Sequence, residues 1–273
     1  MDLLQILALG ITQAVTEWLP LSSKTMDTLL YLGIFNGDKA GVVSVLLFLH
    51  FGTLCAATIY FRKELAELAL ELLAAPKNYI RARESKVGFI ISALFFTGIV
   101  AIPLLLIEKL FLPNLEMGVI LTIMGAGLIA TGFLLTTQKK QRWRIAETAT
   151  WKDGMLTGAL QGLSVIPGVS RAGCSTTGLI WRGFDSESAF RLSFLLSIPT
   201  VFVAEVLLWL FQLFQGDAFV LPIFDGFALA LASFAFGYLT IDILIKFAHR
   251  VNVAWLAFLF GIMMLLFGII GLG

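Results

Sequence analysis

Long apolar runs recur along this chain of 273 residues. A helix of about 20 apolar residues is long enough to cross the hydrocarbon core of a bilayer. The pattern predicts six full membrane spans, at residues 41–61, 87–111, 116–137, 188–215, 223–245 and 253–272. We therefore expect an all-α integral membrane protein.

Two further apolar regions, 2–35 and 154–183, differ from the spans because proline and serine interrupt each of them near its middle. Proline breaks a helix by removing a backbone donor. Non-helical backbone at membrane depth is tolerated only where protein or a wet cavity covers it. We interpret each region as a re-entrant helical hairpin, which enters the membrane and leaves it on the same side.

The two interruptions resemble each other. Each contains a glutamine, followed by a proline, two residues, a serine and a basic residue, if one deletion is allowed. The aligned pairs are Gln13 with Gln161, Pro20 with Pro167, Ser23 with Ser170, and Lys24 with Arg171. The third and sixth spans also match, with Gly125 and Gly132 aligned to Gly261 and Gly268. These matches predict an internal repeat.

Basic residues predict the orientation of the chain, because cytoplasmic loops carry an excess of lysine and arginine. Two spans separate the basic segments 62–86 and 138–152, so both lie on one side, which we expect to be the cytoplasm. The basic residues are Arg62, Lys63, Lys77, Arg81, Arg83, Lys86, Lys139, Lys140, Arg142, Arg144 and Lys152, with Lys246 and Arg250 in a third loop.

With this orientation, the first hairpin enters from outside and the second from the cytoplasm. Each hairpin is followed by three spans, so the chain is predicted to be one membrane domain made of two inverted repeats, 1–137 and 154–273. Interrupted segments at matching positions of inverted repeats point to a binding site near the bilayer midplane.

The composition agrees with a membrane protein and excludes other classes. Hydrophobic residues make up 59% of the chain and charged residues 14%, whereas soluble domains carry roughly 25% charged residues. A net charge of +1 argues against a nucleic-acid partner. Cys55 and Cys174 form no disulfide framework, and His50 and His249 have no metal-ligand spacing. We interpret His50 as a hydrogen-bonded core residue.

Glu17 is the only carboxylate deep in the first hairpin, and Gln13 lies one helical turn before it on the same face. An acidic side chain inside the membrane is costly and points to a functional site. Glu17 could bind a divalent cation, act as a base, or pair with Lys24 or Arg171. A purely structural ion pair would also satisfy it.

Lys24 and Arg171 are cations at matched positions, so the repeat brings them toward one centre. Two like charges in a low dielectric need an anion between them, and a guanidinium fork suits phosphate oxygens. Gly168 and Gly173 bracket Arg171, which lets backbone amides approach a ligand closely. The sequence predicts a phosphorylated ligand. The alternative is that either cation extends to a membrane interface.

Ser22, Ser23 and Ser170 are hydroxyls next to these cations. Each could donate a hydrogen bond to phosphate, or attack phosphorus if a base activates it. The alternative is that they cap the broken helices. Asp27, beyond the first interruption, could cap a helix or bind a metal.

The residues Glu17-Trp18-Leu19-Pro20-Leu21-Ser22-Ser23 and Pro167-Gly168-Val169-Ser170-Arg171 resemble the two signature motifs of the undecaprenyl-diphosphate phosphatase family of the bacitracin-resistance type. The resemblance covers essentially the whole chain. It implies a polytopic protein that removes the terminal phosphate of a C55 isoprenoid diphosphate with a divalent cation, Mg²⁺ or Ca²⁺. By position, it implies that Gln13 and Glu17 form the family's Glu/Gln-x-x-x-Glu motif, that Ser23 is the nucleophile, and that Ser170 and Arg171 bind phosphate.

Three positions depart from the family pattern. Met26 replaces the family's histidine, Gln13 replaces the first acid of its carboxylate pair, and Ala172 replaces a serine. Methionine transfers no proton and glutamine is no carboxylate base, although general acid–base catalysis is worth about 10²–10⁴ in rate. Lys24 is an additional cation that could stabilise charge on a phosphoryl group.

Two functions are compatible with these residues. The first is a phosphatase in which Ser23 attacks phosphorus, Glu17 holds a cation or acts as base, and the diphosphate is bound by Ser22, Lys24, Gly168, Ser170, Arg171 and Gly173, with Gln13 and Gln161 in support. The second is a non-catalytic relative that moves a polyprenyl phosphate or another anionic lipid across the membrane. We favour the phosphatase. Both are multi-pass proteins of the cell membrane with lipid partners, and a homodimer is left open.

Overall fold

The computed structural model describes residues 1–74, 82–111, 115–138, 143–215, 221–247 and 253–270. Within these ranges the regular elements are helices, and one isolated bridge joins Arg144 to Phe184. The α-helices of these ranges that carry a label below are α1 Leu3–Trp18, α2 Ser23–Thr28, α3 Val42–Tyr60, α4 Arg62–Ala74, α5 Lys86–Phe111, α6 Met117–Thr136, α7 Trp151–Gly162, α8 Arg171–Trp181, α9 Ser186–Gln215, α10 Ile223–Phe247 and α11 Val253–Ile270.

Six helices of the described ranges are long and apolar enough to cross a membrane, which confirms the predicted all-α membrane fold. They comprise Lys39–Tyr60, Lys86–Glu108, Met117–Thr136, Ser186–Leu210, Ile223–Lys246 and Val253–Ile270. Each coincides with one predicted span, although residues 271–272 of the last prediction lie outside the described residues. The chain is thus a multi-pass membrane protein.

The first interrupted region folds as two helices joined by a turn. Helix α1 ends at Trp18 because Leu19 precedes Pro20, and a residue before proline is restricted to extended backbone. Leu19 has φ −81° and ψ 152°. Helix α2 begins at Ser23 and continues as a π-helix over Leu29–Ile34.

The second interrupted region repeats this plan. Helix α7 begins at Trp151, three residues before the predicted start, and a 3₁₀ turn follows over Leu163–Val165. Gly168 has φ +91°, a backbone conformation that glycine adopts without strain. Helix α8 then begins at Arg171, with Ser170 as its N-cap.

A buried carboxylate joins the start of α7 to the end of α8. Asp153 is fully buried and accepts hydrogen bonds from Arg144 Nη2 at 2.8 Å and from Arg182 Nε at 2.7 Å. Burial alone would raise the pKa of Asp153, but the hydrogen bonds from both arginines outweigh it and hold the pKa below its usual range. Arg182 follows α8, so the cluster fixes α7 against α8.

Glycines allow the closest helix contacts. A Cβ atom added to Gly125 in α6 would lie 2.8 Å from the carbonyl oxygen of Gly261 in α11, and one added to Gly261 would lie 2.9 Å from that of Gly125. Real Cβ atoms do not approach backbone this closely, so both positions require glycine. Similar contacts join Gly10 of α1 to α10 and Gly158 of α7 to α5.

The predicted orientation rests partly on residues beyond the described ranges. Lys77, Arg81, Lys139, Lys140, Arg142 and Arg250 all lie outside the described residues, as does His249. The assignment of the basic loops to the cytoplasm therefore stays a prediction.

Candidate functional site

The turns of the two interrupted regions touch each other. Ser170 Oγ donates a hydrogen bond to the carbonyl oxygen of Leu21 at 3.1 Å, and Ser170 N donates to Thr131 Oγ1 in α6 at 3.0 Å. The same hydroxyl accepts from Gly173 N at 3.1 Å, which caps α8. The hydroxyl of Ser170 thus caps α8 and also joins the two turns.

Glu17, at the end of α1, is the centre of the polar cluster between these turns. Its side chain is nearly buried, and its Oε1 accepts a hydrogen bond from Arg171 Nη2 at 2.6 Å. Its Oε2 accepts from Ser23 Oγ at 2.7 Å and from Gln13 Nε2 at 3.4 Å. Four side chains named by the sequence analysis therefore converge, although Arg171 lies 154 residues from Glu17 in the chain.

His50 also faces this cluster. Its Nδ1 lies 2.8 Å from the carbonyl oxygen of Leu46, and its Nε2 lies 3.7 Å from Glu17 Oε2. A hydrogen bond from one ring nitrogen fixes the orientation of the other. The expected hydrogen bond is present, but the approach of His50 to Glu17 was not anticipated from the sequence.

Two more carboxylates lie near Glu17. Asp27 is fully buried, and neither of its carboxylate oxygens has a hydrogen-bond partner among the described residues. Glu205, in the middle of α9, has one buried oxygen without such a partner. Its carboxylate lies within electrostatic range of His50, Lys24 and Glu17. The sequence analysis missed Glu205, although a lone acid inside a predicted span is a signal for function.

Neither Lys24 nor Met26 is bonded to Glu17 among the described residues. The side chain of Lys24 is exposed and forms no ion pair with any described carboxylate, so it lies at the edge of the cluster. Met26 is buried in an apolar cluster with Met124, Leu128 and Met264. The position at which the family pattern has histidine therefore faces the apolar core here.

The glycines of the second turn pack against α6. A Cβ atom on Gly168 would lie 2.0 Å from the carbonyl oxygen of Met124, and one on Gly173 would lie 2.9 Å from Thr131 Cγ2. The amide of Gly173 is already bonded to Ser170. Both glycines are thus needed for close packing, whereas the sequence analysis assigned them to close approach of a ligand.

Gln161 and Ser22 make hydrogen bonds beside the cluster. Gln161 Nε2 donates to Thr97 Oγ1 and to Thr200 Oγ1, each at 3.1 Å. Ser22 Oγ accepts from Thr25 Oγ1 at 2.9 Å. Neither side chain bonds to Glu17.

The space beside Glu17 is small. A cavity of about 10 Å³ is lined by Glu17, Trp18, Thr53, Leu54, Ala57, Ser197 and Val201. One water molecule needs at least about 10–15 Å³. A diphosphate can therefore enter this space only if the surrounding side chains move apart.

Comparisons with known proteins agree with the sequence motifs. The family model described as "Bacitracin resistance protein BacA" matches residues 6–270. The chain belongs to this family. An undecaprenyl-diphosphatase of Methanococcoides burtonii is 33% identical, covering 97% of this chain and 98% of the relative.

Two further relatives carry the same description. The undecaprenyl-diphosphatase of Methanothrix thermoacetophila is 33% identical, over 97% of this chain and 96% of the relative. That of Haloarcula marismortui is 32% identical, over 91% of each chain. The similarity spans both interrupted regions and the helices between them.

Proposed function

We propose that this protein is a membrane phosphatase that hydrolyses a polyprenyl diphosphate, such as undecaprenyl diphosphate, to the monophosphate and inorganic phosphate. Membership of the BacA family and the names of its relatives support this function over the translocation alternative. The observation that carries it is the hydrogen bond of 2.7 Å between Ser23 Oγ and Glu17 Oε2, which pairs a nucleophile with a base.

In the proposed reaction, Ser23 Oγ attacks the terminal phosphorus atom. Its proton passes to Glu17, and the bond between this phosphorus and the bridging oxygen breaks. The lipid monophosphate leaves, and water then hydrolyses the phosphoserine to release phosphate. Both steps keep charge on phosphoryl oxygens, which an arginine stabilises by paired hydrogen bonds.

Arg171 is the proposed phosphate ligand, and Glu17 occupies it in this structure. The Arg171 guanidinium lies 2.6 Å from Glu17 Oε1, so the carboxylate holds a position that a phosphate oxygen would take. Substrate binding would exchange one anion for the other at Arg171 and leave Glu17 free to accept the serine proton. Lys24, exposed at the edge of the cluster, would attract the diphosphate to this position.

A divalent cation, Mg²⁺ or Ca²⁺, completes the proposal. Such an ion neutralises the diphosphate and favours oxygen ligands. The oxygens around Glu17 fit this preference, because Asp27 has two buried oxygens without partners. Glu17 is the predicted metal ligand.

We also propose that the two interrupted regions are re-entrant hairpins and that residues 1–137 and 154–273 form inverted repeats. The matched glycines support the repeat: Gly132 lies against Phe258 and Gly268 against Thr122, on either side of the Gly125–Gly261 contact. The contacts of α1 with α10 and of α7 with α5 are a second matched pair. A homodimer stays an open prediction.

Phosphate release from a C55 isoprenoid diphosphate by the purified protein in detergent tests the function. We expect release that requires Mg²⁺ or Ca²⁺ and falls at least about 100-fold in Ser23→Ala and in Glu17→Gln. The matched control is Glu147→Gln, because Glu147 pairs with Lys86 on the surface. Turnover that is unchanged in Ser23→Ala would remove Ser23 as nucleophile.

A further inference from the structure

Asp27 is a buried acid that takes no part in the proton and phosphoryl transfers of the proposed reaction. It is fully buried, and both of its oxygens lack a partner among the described residues. A buried carboxylate in a protein is paired, binds a metal or becomes neutral, because an unpaired charge in the interior is very costly. An ionised Asp27 therefore calls for a partner that the described residues do not supply.

Asp27 lies on the face of α2 that contacts the Glu17 cluster. Ser23 lies four residues earlier in the same helix, and side chains four residues apart share a helix face. Ser23 Oγ contacts Glu17, and the charge of Glu17 acts on Asp27. Met26 lies about 100° away around the helix and packs into the apolar cluster instead.

Protonation alone leaves the acceptor oxygens of Asp27 without donors. A protonated carboxyl group still needs donors for its remaining lone pairs, and no described residue donates a hydrogen bond to either oxygen. A cation satisfies both oxygens at once. Gln13 has one buried oxygen without a partner, as Asp27 has two, so the first interrupted region has an excess of oxygen acceptors.

The carboxylates fit a Mg²⁺ ion that is shared with the substrate better than a metal site made of protein ligands alone. Within the described residues no three His, Cys, Asp or Glu side chains lie close enough to hold a metal together. Mg²⁺ is usually bound by one or two carboxylates together with substrate phosphates and water. We propose that Asp27 and Glu17 form a two-carboxylate site for a divalent cation, which binds together with the diphosphate of the substrate.

This inference rests on the proposed function and adds a ligand that the family pattern does not contain. The pattern places its carboxylate pair at Gln13 and Glu17, and Gln13 carries no charge. Asp27 restores the second carboxylate from α2 rather than from α1.

Manganese binding tests the site directly. The purified full-length protein is titrated with Mn²⁺ in the presence of a non-hydrolysable polyprenyl methylenediphosphonate, and free Mn²⁺ is measured by electron paramagnetic resonance. We expect Asp27→Asn to weaken Mn²⁺ binding at least about tenfold, since removal of even an outer ligand costs 10–100-fold. The matched control is Asp38→Asn, because Asp38 is a helix cap and asparagine caps equally well. Equal affinity in the parent protein and Asp27→Asn would overturn the proposal.

Thermal unfolding separates a ligand from a packing residue. In EDTA, Asp27→Asn should unfold at the same temperature as the parent protein or higher, because it replaces a buried acid that has no hydrogen-bond partner among the described residues. Mn²⁺ with the diphosphonate should then stabilise the parent protein and not the variant. A lower unfolding temperature of Asp27→Asn in EDTA would assign Asp27 a structural role and overturn the proposal.

Three further outcomes test this inference, and the last two of them separate it from the proposed function. Loss of Mn²⁺ binding in Glu205→Gln but not in Asp27→Asn would place the cation on α9 and overturn the proposal. If the parent protein releases no phosphate while Asp27→Asn still weakens Mn²⁺ binding, the phosphatase function fails and the cation site stands. Metal-dependent phosphate release with unchanged Mn²⁺ affinity in Asp27→Asn gives the reverse result.

Discussion

The ion pair between Arg171 and Glu17 makes a prediction about stability that does not depend on catalysis. Arg171→Ala removes the cation from a carboxylate of which only 9% of the side chain is exposed. Breaking a buried ion pair costs about 3–5 kcal/mol, whereas an exposed pair contributes about 0–1 kcal/mol. Glu17 keeps hydrogen bonds from Ser23 and Gln13, so we expect a loss at the lower end, about 3 kcal/mol.

A double-mutant cycle gives the assay. The parent protein, Arg171→Ala, Glu17→Gln and the double variant are unfolded by SDS in mixed micelles with EDTA, and tryptophan fluorescence follows the transition. The double variant leaves no uncompensated charge, so it should recover part of the loss, with a coupling free energy of about 2–3 kcal/mol. Additive losses within about 0.5 kcal/mol would refute the pair as a buried interaction.

Three further predictions concern the surrounding fold. Asp153→Asn should lower the unfolding temperature at neutral pH. The pKa of Asp153 is depressed in the folded protein, so its contribution to stability is complete above the unfolded pKa of about 3.9 and is lost as the pH falls below that value. The difference in unfolding temperature between parent and variant should therefore shrink at low pH. A constant difference would contradict this. Met26→His should destabilise the protein by about 1–3 kcal/mol without raising phosphate release, because it buries an imidazole among apolar side chains. The control Met26→Leu should cost less than about 1.5 kcal/mol. Faster phosphate release by Met26→His would contradict this prediction. Gly261→Val should cost at least about 1–3 kcal/mol by overpacking against α6, and Gly98→Ala, whose added Cβ would have its nearest neighbour at 3.9 Å, is the control with little effect in the same SDS titration.

The spans were predictable because an apolar run of about 20 residues has one common interpretation. The two interruptions were equally clear, since Pro20 and Pro167 each restrict the residue before them. Glu17, Ser23 and Arg171 stood out because polar groups are rare in such sequence, and the structure brings all three together.

Other parts of the site depend on packing that sequence does not show. The direction of Lys24 and Met26 is set by which face of the six-residue helix α2 meets α6 and α11. The approach of His50 to Glu17 depends on a contact between α1 and α3. The missing partners of Asp27 are visible only when every neighbouring donor has been placed.

The charge-neutral pairing of Glu17 with Arg171 also has a consequence for biosynthesis. The carboxylate leaves the ribosome 154 residues before its guanidinium, which at 5–20 residues per second is an interval of roughly 8–30 seconds. During this interval the first half of the chain carries an acid that costs several kcal/mol to bury in ionised form. We therefore expect the first interrupted region to pack fully only after the second has been translated, and we expect neither half to mature when it is expressed alone.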